Sequence, residues 1–394
     1  MKPHRILIMG MFPKVGVNFG GRQRILAFIR YYQSKGFQVS YASVGGIKRW
    51  PWLAPFFEDI RLSPYFEAQR QLAGNKELFL CSKGADDQDT QNRISKFLES
   101  LRPTLIQIEQ PHLWPLISET SFFKTQRSQF KLFYDAHNLE YKHLTEAIRF
   151  NSSFGDSDSV EKLRRAEENL ISQSDLVFAT SHEEAAEMKR LNAKVIRVPN
   201  ACETYSRNLI TRWIWQAKRD RKFLALVPGS DHWPNIQGFQ QYIEPILSTL
   251  PENWELWIAG ALSNAVKDRL PDSKSQNIRC LGNLSKASWI ELIHLSDLLI
   301  LPITQGAGTN LRTAEALTYA RTVALTPHAL RGFEEHAKRE GVSIVNSSGD
   351  IASIMKSFQE SPLVISTNSF PKLHWESALS EALENSSLFL KATS

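Results

Sequence analysis

A short apolar run, then a punctuating Gly, Pro, Asn or His, then a segment of helical periodicity: this unit recurs along the whole 394-residue chain. A strand buried on both faces reads as a continuous apolar run, and the return to a parallel neighbour needs a crossover helix, so the rhythm predicts parallel strands alternating with helices. In the first half the runs fall at Arg5 to Met9, Gln38 to Ser43, Leu105 to Ile108, Lys131 to Tyr134, Leu176 to Ala179 and Val195 to Val198, with helices such as Arg22 to Lys35 and Val160 to Ser172 between them. The pattern restarts at Phe223 to Val227 and continues at Glu255 to Ile258, Ile278 to Leu281, Leu298 to Leu301, Thr322 to Leu325 and Ser343 to Val345. Between the two series lies the charged stretch Arg207 to Arg221, where the strand signal lapses. The expected fold class is α/β, with two doubly wound domains, residues 1–205 and 206–374; the length agrees, at roughly two or three domains of ~150 residues.

Composition narrows the class further. Apolar residues make up 42% of the chain, with 22 Phe and 10 Trp, while 19 Gly and 18 Pro are ordinary, which excludes disordered and collagen-like classes. The net charge of +6 comes from 47 basic against 41 acidic residues spread along the chain, without the basic clusters of a nucleic-acid binder, so an anionic ligand or surface is expected and nucleic acid is not. Cys81, Cys202 and Cys280 are odd in number and far apart, which fits neither a disulfide framework nor a zinc site. The apolar run Ile6 to Met9 is too short for a signal-peptide core, and Leu298 to Ile303 is far short of the ~20 residues that span a bilayer. A cytoplasmic protein is expected.

In open parallel sheets ligands bind beyond the carboxyl ends of the strands, so the residues that follow the runs carry the information. The first run leads towards Gly20-Gly21-Arg22, a double glycine read as the loop opening a helix. Asp135-Ala136-His137-Asn138 follows the fourth, and puts a titratable imidazole at a strand end, where it either meets a substrate hydroxyl or serves as a structural histidine. In the second half Gly229-Ser230-Asp231-His232-Trp233-Pro234-Asn235 follows the first run, and Gly306-Ala307-Gly308-Thr309-Asn310 follows Leu298 to Leu301. The last is the most informative. Its glycines suit a close approach of backbone to ligand, Thr309 is the expected N-cap, and the helix behind it offers free N–H groups and the positive end of its dipole to a diphosphate. Arg312 adds a cation in the first turn, and Glu315 a carboxylate for two sugar hydroxyls; the alternative is a glycine turn before an ordinary helix. Neither a Walker lysine motif nor the full dinucleotide fingerprint is present. The stretch Lys48 to Phe57, followed by Arg61, Tyr65 and Phe66, interleaves cations, aromatics and prolines, and either meets an anionic membrane interface or an acceptor, or packs onto its own domain.

Taken in order, Gly20-Gly21-Arg22, Asp135 to Glu140, Ser174-Asp175 with Ser181, Val198-Pro199-Asn200, Gly229-Ser230 with Trp233-Pro234-Asn235, Ala259-Gly260, Gly282 and Gly306 to Ala316 resemble glycosyltransferase family 4, the retaining enzymes of GT-B architecture. His374-Trp375-Glu376 resembles the start of the C-terminal helix that in such enzymes crosses back onto the first domain, which assigns 375–394 there. The resemblance implies two Rossmann-like domains facing across a cleft, with a nucleotide-sugar donor on the second and a glycan or glycolipid precursor acceptor on the first. It implies retention of configuration, a departing phosphate that takes the acceptor proton, and neither a metal nor any other cofactor. Membrane contact would then be peripheral, at the inner face, and the product would belong to polysaccharide biosynthesis. Glu315 matches the glutamate that grips the ribose, His137 falls close to the sugar-contacting histidine, and Gly306 to Asn310 match the loop facing donor sugar and diphosphate. Gly229, Ser230, Asn235, Gly20, Gly21 and Arg22 complete the expected donor set, with His137 and Arg312 as the catalytic pair. Two departures stand out: Ala307 occupies the place of a second glutamate, and Ser230 and Gln237 stand where an Arg and a Lys are usual. They leave open a second reading, a catalytically silent module of the same architecture that binds a glycan or a partner protein.

Overall fold

The computed structural model describes residues 5–11, 20–44, 57–192, 194–205, 222–270, 277–360, 373–386 and 389. Their strands form two all-parallel sheets. The first contains β1 (Arg5–Gly10), β2 (Gln38–Val44), β3 (Phe57–Ile60), β4 (Leu105–Ile108), β5 (Lys131–Asp135), β6 (Leu176–Ala179) and β7 (Val195–Arg197) in the order β3-β2-β1-β4-β5-β6-β7. The second contains β8 (Phe223–Pro228), β9 (Trp254–Ala259), β10 (Ile278–Cys280), β11 (Leu298–Leu301), β12 (Val323–Leu325) and β13 (Val342–Ile344) in the order β10-β9-β8-β11-β12-β13. Each sheet runs outward from its first strand, then restarts on that strand's other side. The reversal lies between β1 and β4 in one and between β8 and β11 in the other, and such switch points are where loops part to admit a ligand.

By internal contacts the chain divides into two units, Met1–Pro199 with Glu376–Ser394, and Asn200–Trp375. In the first, Leu7, Met9, Ile106, Ile108, Leu132 and Tyr134 point from alternate strand positions into one core with Trp114 and the Phe122, Phe123 and Phe130 rings. In the second, alternation on β8 sends Leu224 and Leu226 to one face of the sheet and Ala225 and Val227 to the other, and each face is covered by its own core. Strands buried on both sides in this way explain why the apolar runs in the sequence are unbroken.

The strand Phe57–Ile60 is an addition to the sequence reading, and helix Gly20–Ser34 begins at the double glycine. Gly20 and Gly21 therefore belong to the first turn of the helix instead of to a loop before it. The stretch Lys48 to Phe56 and the charged stretch Arg207 to Arg221 lie outside the described residues. No helix among the described residues is long and apolar enough to cross a membrane.

Candidate functional site

In the second unit the candidate residues sit beyond the carboxyl ends of β8 and β11. Helix Trp233–Gly238 follows β8 after Gly229 to His232, and the Asn235 amide donates to the Ser230 hydroxyl at 3.0 Å. Two glycines of this region serve protein packing. A Cβ on Gly229 would meet Leu262 Cδ2 at 2.7 Å, and one on Gly238 would collide with the Pro302 carbonyl, so the helix after β8 can rest directly on the loop after β11. Gly306 is different. Its φ of +117° requires glycine, while among the described residues the nearest atom to an added Cβ is Pro234 Cγ at 3.9 Å, an ordinary van der Waals distance, so no close packing against the protein demands it. Gly308 also has positive φ, at 68°.

The loop Gly306 to Asn310 is tied down by its carbonyls. His328 Nε2 lies 2.9 Å from the Gly306 oxygen, Arg331 Nε donates to the Gly308 oxygen at 2.6 Å, and Asn200 Nδ2 donates to the Thr309 oxygen at 3.0 Å. With the carbonyls turned to these groups, helix Leu311–Tyr319 starts at a fixed place. Its N-cap is Asn310, whose Oδ1 accepts the Arg312 N–H at 2.8 Å; the sequence reading placed the cap at Thr309, and Asn wins because its amide oxygen reaches the second N–H of the helix. Thr309 Oγ1, Thr304 Oγ1 and Gln237 Oε1 are buried atoms with no hydrogen-bond partner among the described residues. Two of these orphaned atoms, on Thr304 and Thr309, belong to the segment between β11 and the helix.

Glu315, one turn into the helix, is 2% exposed and carries three charge-assisted or polar contacts. Its Oε1 accepts from Lys286 Nζ at 2.6 Å, and its Oε2 accepts from Trp289 Nε1 at 2.8 Å and from Arg312 Nη1 at 2.6 Å. Burial alone would raise the carboxyl pKa, but Arg312 and Lys286, helped by the Trp289 N–H, hold it below its ordinary value. The Arg312 guanidinium also lies over the Trp289 ring, 4.5 Å from its centroid. The arrangement is a buried carboxylate between two cations, one of them 43% exposed and the other 21%. Lys286 and Trp289 were not among the residues singled out from sequence. The available signal was the Ser285 cap followed by helix Lys286–Leu295, just beyond β10, since residues that follow the carboxyl end of a parallel strand border the ligand crevice. Ala307 lies on the loop with no acid replacing the missing glutamate there.

In the first unit the residues converge beside the β1–β4 reversal. β4 and β5 pair in parallel with Ile108 opposite Tyr134, so one step further Glu109 and Asp135 lie side by side at the strand ends. Asp135 is fully buried and bound by Arg24, with Nε at 3.0 and 2.9 Å from the two carboxylate oxygens and Nη2 at 2.7 Å, while Nη1 donates to the Val198 carbonyl at 2.9 Å. Arg24, two residues past the cation picked out from sequence, is thus the structural partner of the strand end. Arg22 is half-buried, its pKa lowered by burial and raised in part by Tyr41. His137 Nε2 is 2.9 Å from Glu109 Oε2 and 3.7 Å from Asp135 Oδ2. Glu109 Oε1 accepts from Gln107 Nε2 at 2.8 Å, and Gln107 Oε1 accepts from the Tyr32 hydroxyl at 2.7 Å. Burial and the Asp135 charge push the Glu109 carboxyl above its ordinary range, against the pull of His137 and Gln107.

Ligand atoms of Glu109, Asp135 and His137 all lie within 4.8 Å of one another, the one group among the described residues with the geometry to hold a metal ion. Asp135 is already neutralised by a bidentate guanidinium, which leaves a poor set of donors for a divalent cation. Of the sequence candidates, then, Ser230 and Asn235 meet each other, Gly306 to Asn310 lead into Arg312 and Glu315, and His137 joins a buried carboxylate; Gly20 and Gly21 lie in a helix.

No family model matches the chain, and none of the curated proteins does. Solved structures do. Over 99% of this chain and 98% of the other, it is similar to HepE from Anabaena in complex with UDP-glucose, with a TM-score of 0.62 at 15% identity. Sucrose-phosphate synthase from Thermosynechococcus elongatus is similar with a TM-score of 0.66 at 12% identity, over 96% and 97% of the two chains. The lipopolysaccharide outer core galactosyltransferase WaaB in its apo form is similar with a TM-score of 0.58 at 11% identity, over 99% and 98%. With two parallel sheets of the same strand order, the fold is GT-B.

Proposed function

We propose that the chain transfers a sugar from a nucleotide-sugar donor to a glycan or glycolipid precursor, with retention and without a metal. The observation that carries this reading is Glu315: a carboxylate kept ionised between Arg312 and Lys286 behind a glycine loop, at the carboxyl end of β11. An ionised buried carboxylate is a strong acceptor for the paired hydroxyls of a ribose, and the cations beside it suit the adjoining diphosphate. The neighbours support the donor class, since HepE is solved with UDP and with UDP-glucose.

In this reading the donor lies across the Gly306 to Asn310 loop. Gly306 leaves room at the backbone, and Gly229, Ser230 and Asn235 border the same ligand. The N-terminus of helix Leu311–Tyr319 contributes ~0.3 to 2 kcal/mol towards the diphosphate, and Arg312 and Lys286 supply the charge that the usual Arg and Lys, absent at Ser230 and Gln237, do not. As the glycosidic bond lengthens, negative charge grows on the leaving phosphate oxygen, where fixed cations stabilise the transition state more than the ground state. That oxygen takes the acceptor's proton, so no separate carboxylate base is needed. His137, at its strand end, accepts a hydrogen bond from a sugar hydroxyl. Arg22, in the first turn of helix Gly20–Ser34 of the same unit, is a further cation. An acceptor made at the inner membrane face would place the protein in the cytoplasm, in peripheral contact with lipid.

The test is turnover. With nucleotide sugars bearing uridine and guanosine, in EDTA, the full chain should release nucleoside diphosphate from at least one donor, and product NMR should show the anomeric configuration kept. Nucleotide binding with no release across varied acceptors would favour the silent binding module, and no binding at all would remove both readings.

A further inference from the structure

We infer that Glu109 is the positioning residue of the His137 imidazole, fixing the tautomer that carries its proton on Nε2 and leaves Nδ1 as a hydrogen-bond acceptor. The geometry rests on four distances. Glu109 Oε2 lies 2.9 Å from Nε2, and the Asp135 carboxylate Oδ2 approaches the same nitrogen at 3.7 Å. Oε1 of Glu109 is occupied by the Gln107 N–H at 2.8 Å, and Gln107 is itself fixed by the Tyr32 hydroxyl at 2.7 Å. Any proton between Glu109 and the ring therefore lies on the Oε2–Nε2 line, and the second carboxylate beside Nε2 places it on the nitrogen. A neutral imidazole protonated at one nitrogen is a lone-pair acceptor at the other.

The remaining nitrogen makes no hydrogen bond among the described residues, and the His137 side chain is 13% exposed while Glu109 is fully buried. The ring is thus held at Nε2, which leaves Nδ1 as the acceptor atom. Sequence proximity does not suggest the pair, which lies 28 residues apart. It arises because β4 and β5 are parallel neighbours and both end at the same level. Asp135 serves the dyad indirectly: Arg24 holds it in a bidentate grip, which fixes its carboxylate 3.7 Å from Nε2.

This assignment rests on the reading in which His137 meets a hydroxyl of donor or acceptor, and it adds a requirement: the ring accepts that hydrogen bond and does not donate it. Acceptance suits a hydroxyl, whose O–H then points to the ring and whose lone pairs stay free.

The experiment is nitrogen NMR of the full chain labelled at histidine, with the His137 signal assigned by its loss in His137→Gln. The expected spectrum has a protonated Nε2 and an unprotonated Nδ1 in the neutral ring. Glu109→Gln should keep that tautomer, because the amide oxygen still accepts from Nε2, and Glu109→Ala should release it to a mixture. With UDP-glucose, or whichever donor is turned over, Glu109→Ala should lower kcat about 10- to 100-fold at nearly constant donor KM, and Glu109→Gln should restore part of it. An Nδ1-protonated ring in the unmodified protein, or a spectrum unchanged in a folded Glu109→Ala variant, overturns the inference. A loss confined to KM also overturns it. Should Glu109→Ala fail to fold, the unmodified protein and Glu109→Gln still decide. If the expected tautomer is found and no nucleotide sugar is turned over, the positioning stands and the transfer reading falls.

Discussion

In the proposed reading Glu315 acts on the ribose and Lys286 on the diphosphate, and that division makes their roles separable. Glu315→Ala removes the proposed ribose acceptor, the carboxylate that both Arg312 and Lys286 contact. Uridine binding should weaken by about 1.5 to 3 kcal/mol, the worth of a hydrogen bond to a charged group, while pyrophosphate binding should hold or tighten. Lys286→Met should do the reverse, with UDP losing more affinity than uridine. Calorimetry with uridine, UDP and pyrophosphate distinguishes the patterns, and parallel losses for all three ligands in either variant would refute the division of labour. In the first unit His137→Ala should depress transfer far more than UDP binding, and an unimpaired rate would remove the histidine from the site.

Elements are placed by a few contacts that tolerate little change. Helix Trp233–Gly238 rests on the loop after β11 because Gly238 has no side chain to meet the Pro302 carbonyl. Gly238→Ala should destabilise the second unit by about 1 to 3 kcal/mol, as overpacking does, and should move Gly229 to Asn235 away from the Gly306 loop. Asn310→Ala removes a side-chain cap and should cost about 1 kcal/mol, read from urea denaturation; no loss would mean the cap is idle. The strands themselves were plain in the sequence, because both faces of each sheet are covered and the runs are unbroken. Phe57–Ile60 was not: its Glu58 and Asp59 interrupt the apolar pattern and it follows a proline-rich stretch, so its pairing with β2 supplies what its composition lacks. The double glycine misled for a physical reason. The first turn of a helix has no internal partner for its N–H groups, so Gly20 and Gly21 cost little there, and the residues that suggest a loop also suit a helix start.

At the scale of the whole chain, sequence position located the ends of the strands and so the Gly306 loop, Glu315 and His137, but it could not give the partners. Lys286 reaches Glu315 across 29 positions, and Glu109 meets His137 through the register of neighbouring strands. One consequence of such pairing reaches the stability of the molecule. Glu167 is fully buried and accepts from the Tyr134 hydroxyl and from the N–H groups of Glu140 and Tyr141, yet burial pushes its carboxyl up to about 7. Glu140, beside Glu167, Glu77 and Glu184, is raised too, first by burial. A carboxyl whose pKa is higher folded than unfolded binds its proton more tightly in the native state. Its stabilising contribution is full below about 4.5 and is lost as pH rises through about 7, a change on the order of 3 kcal/mol for Glu167. His112, fully buried, runs the other way: burial and His143 lower it to about 4, so the unfolded chain takes the proton first and stability falls as pH drops from about 6.5 towards 4. Thermal denaturation from pH 4 to 9 should therefore give a maximum on the acid side of neutrality, with Tm declining between pH 5.5 and 8. Glu167→Gln should lie lower throughout, since its amide presents an N–H where a carboxylate oxygen accepted one, but its decline over that range should be shallower. A flat profile in the unmodified chain, or an equal slope in the variant, would show that the Glu167 proton is not bound more tightly in the folded protein.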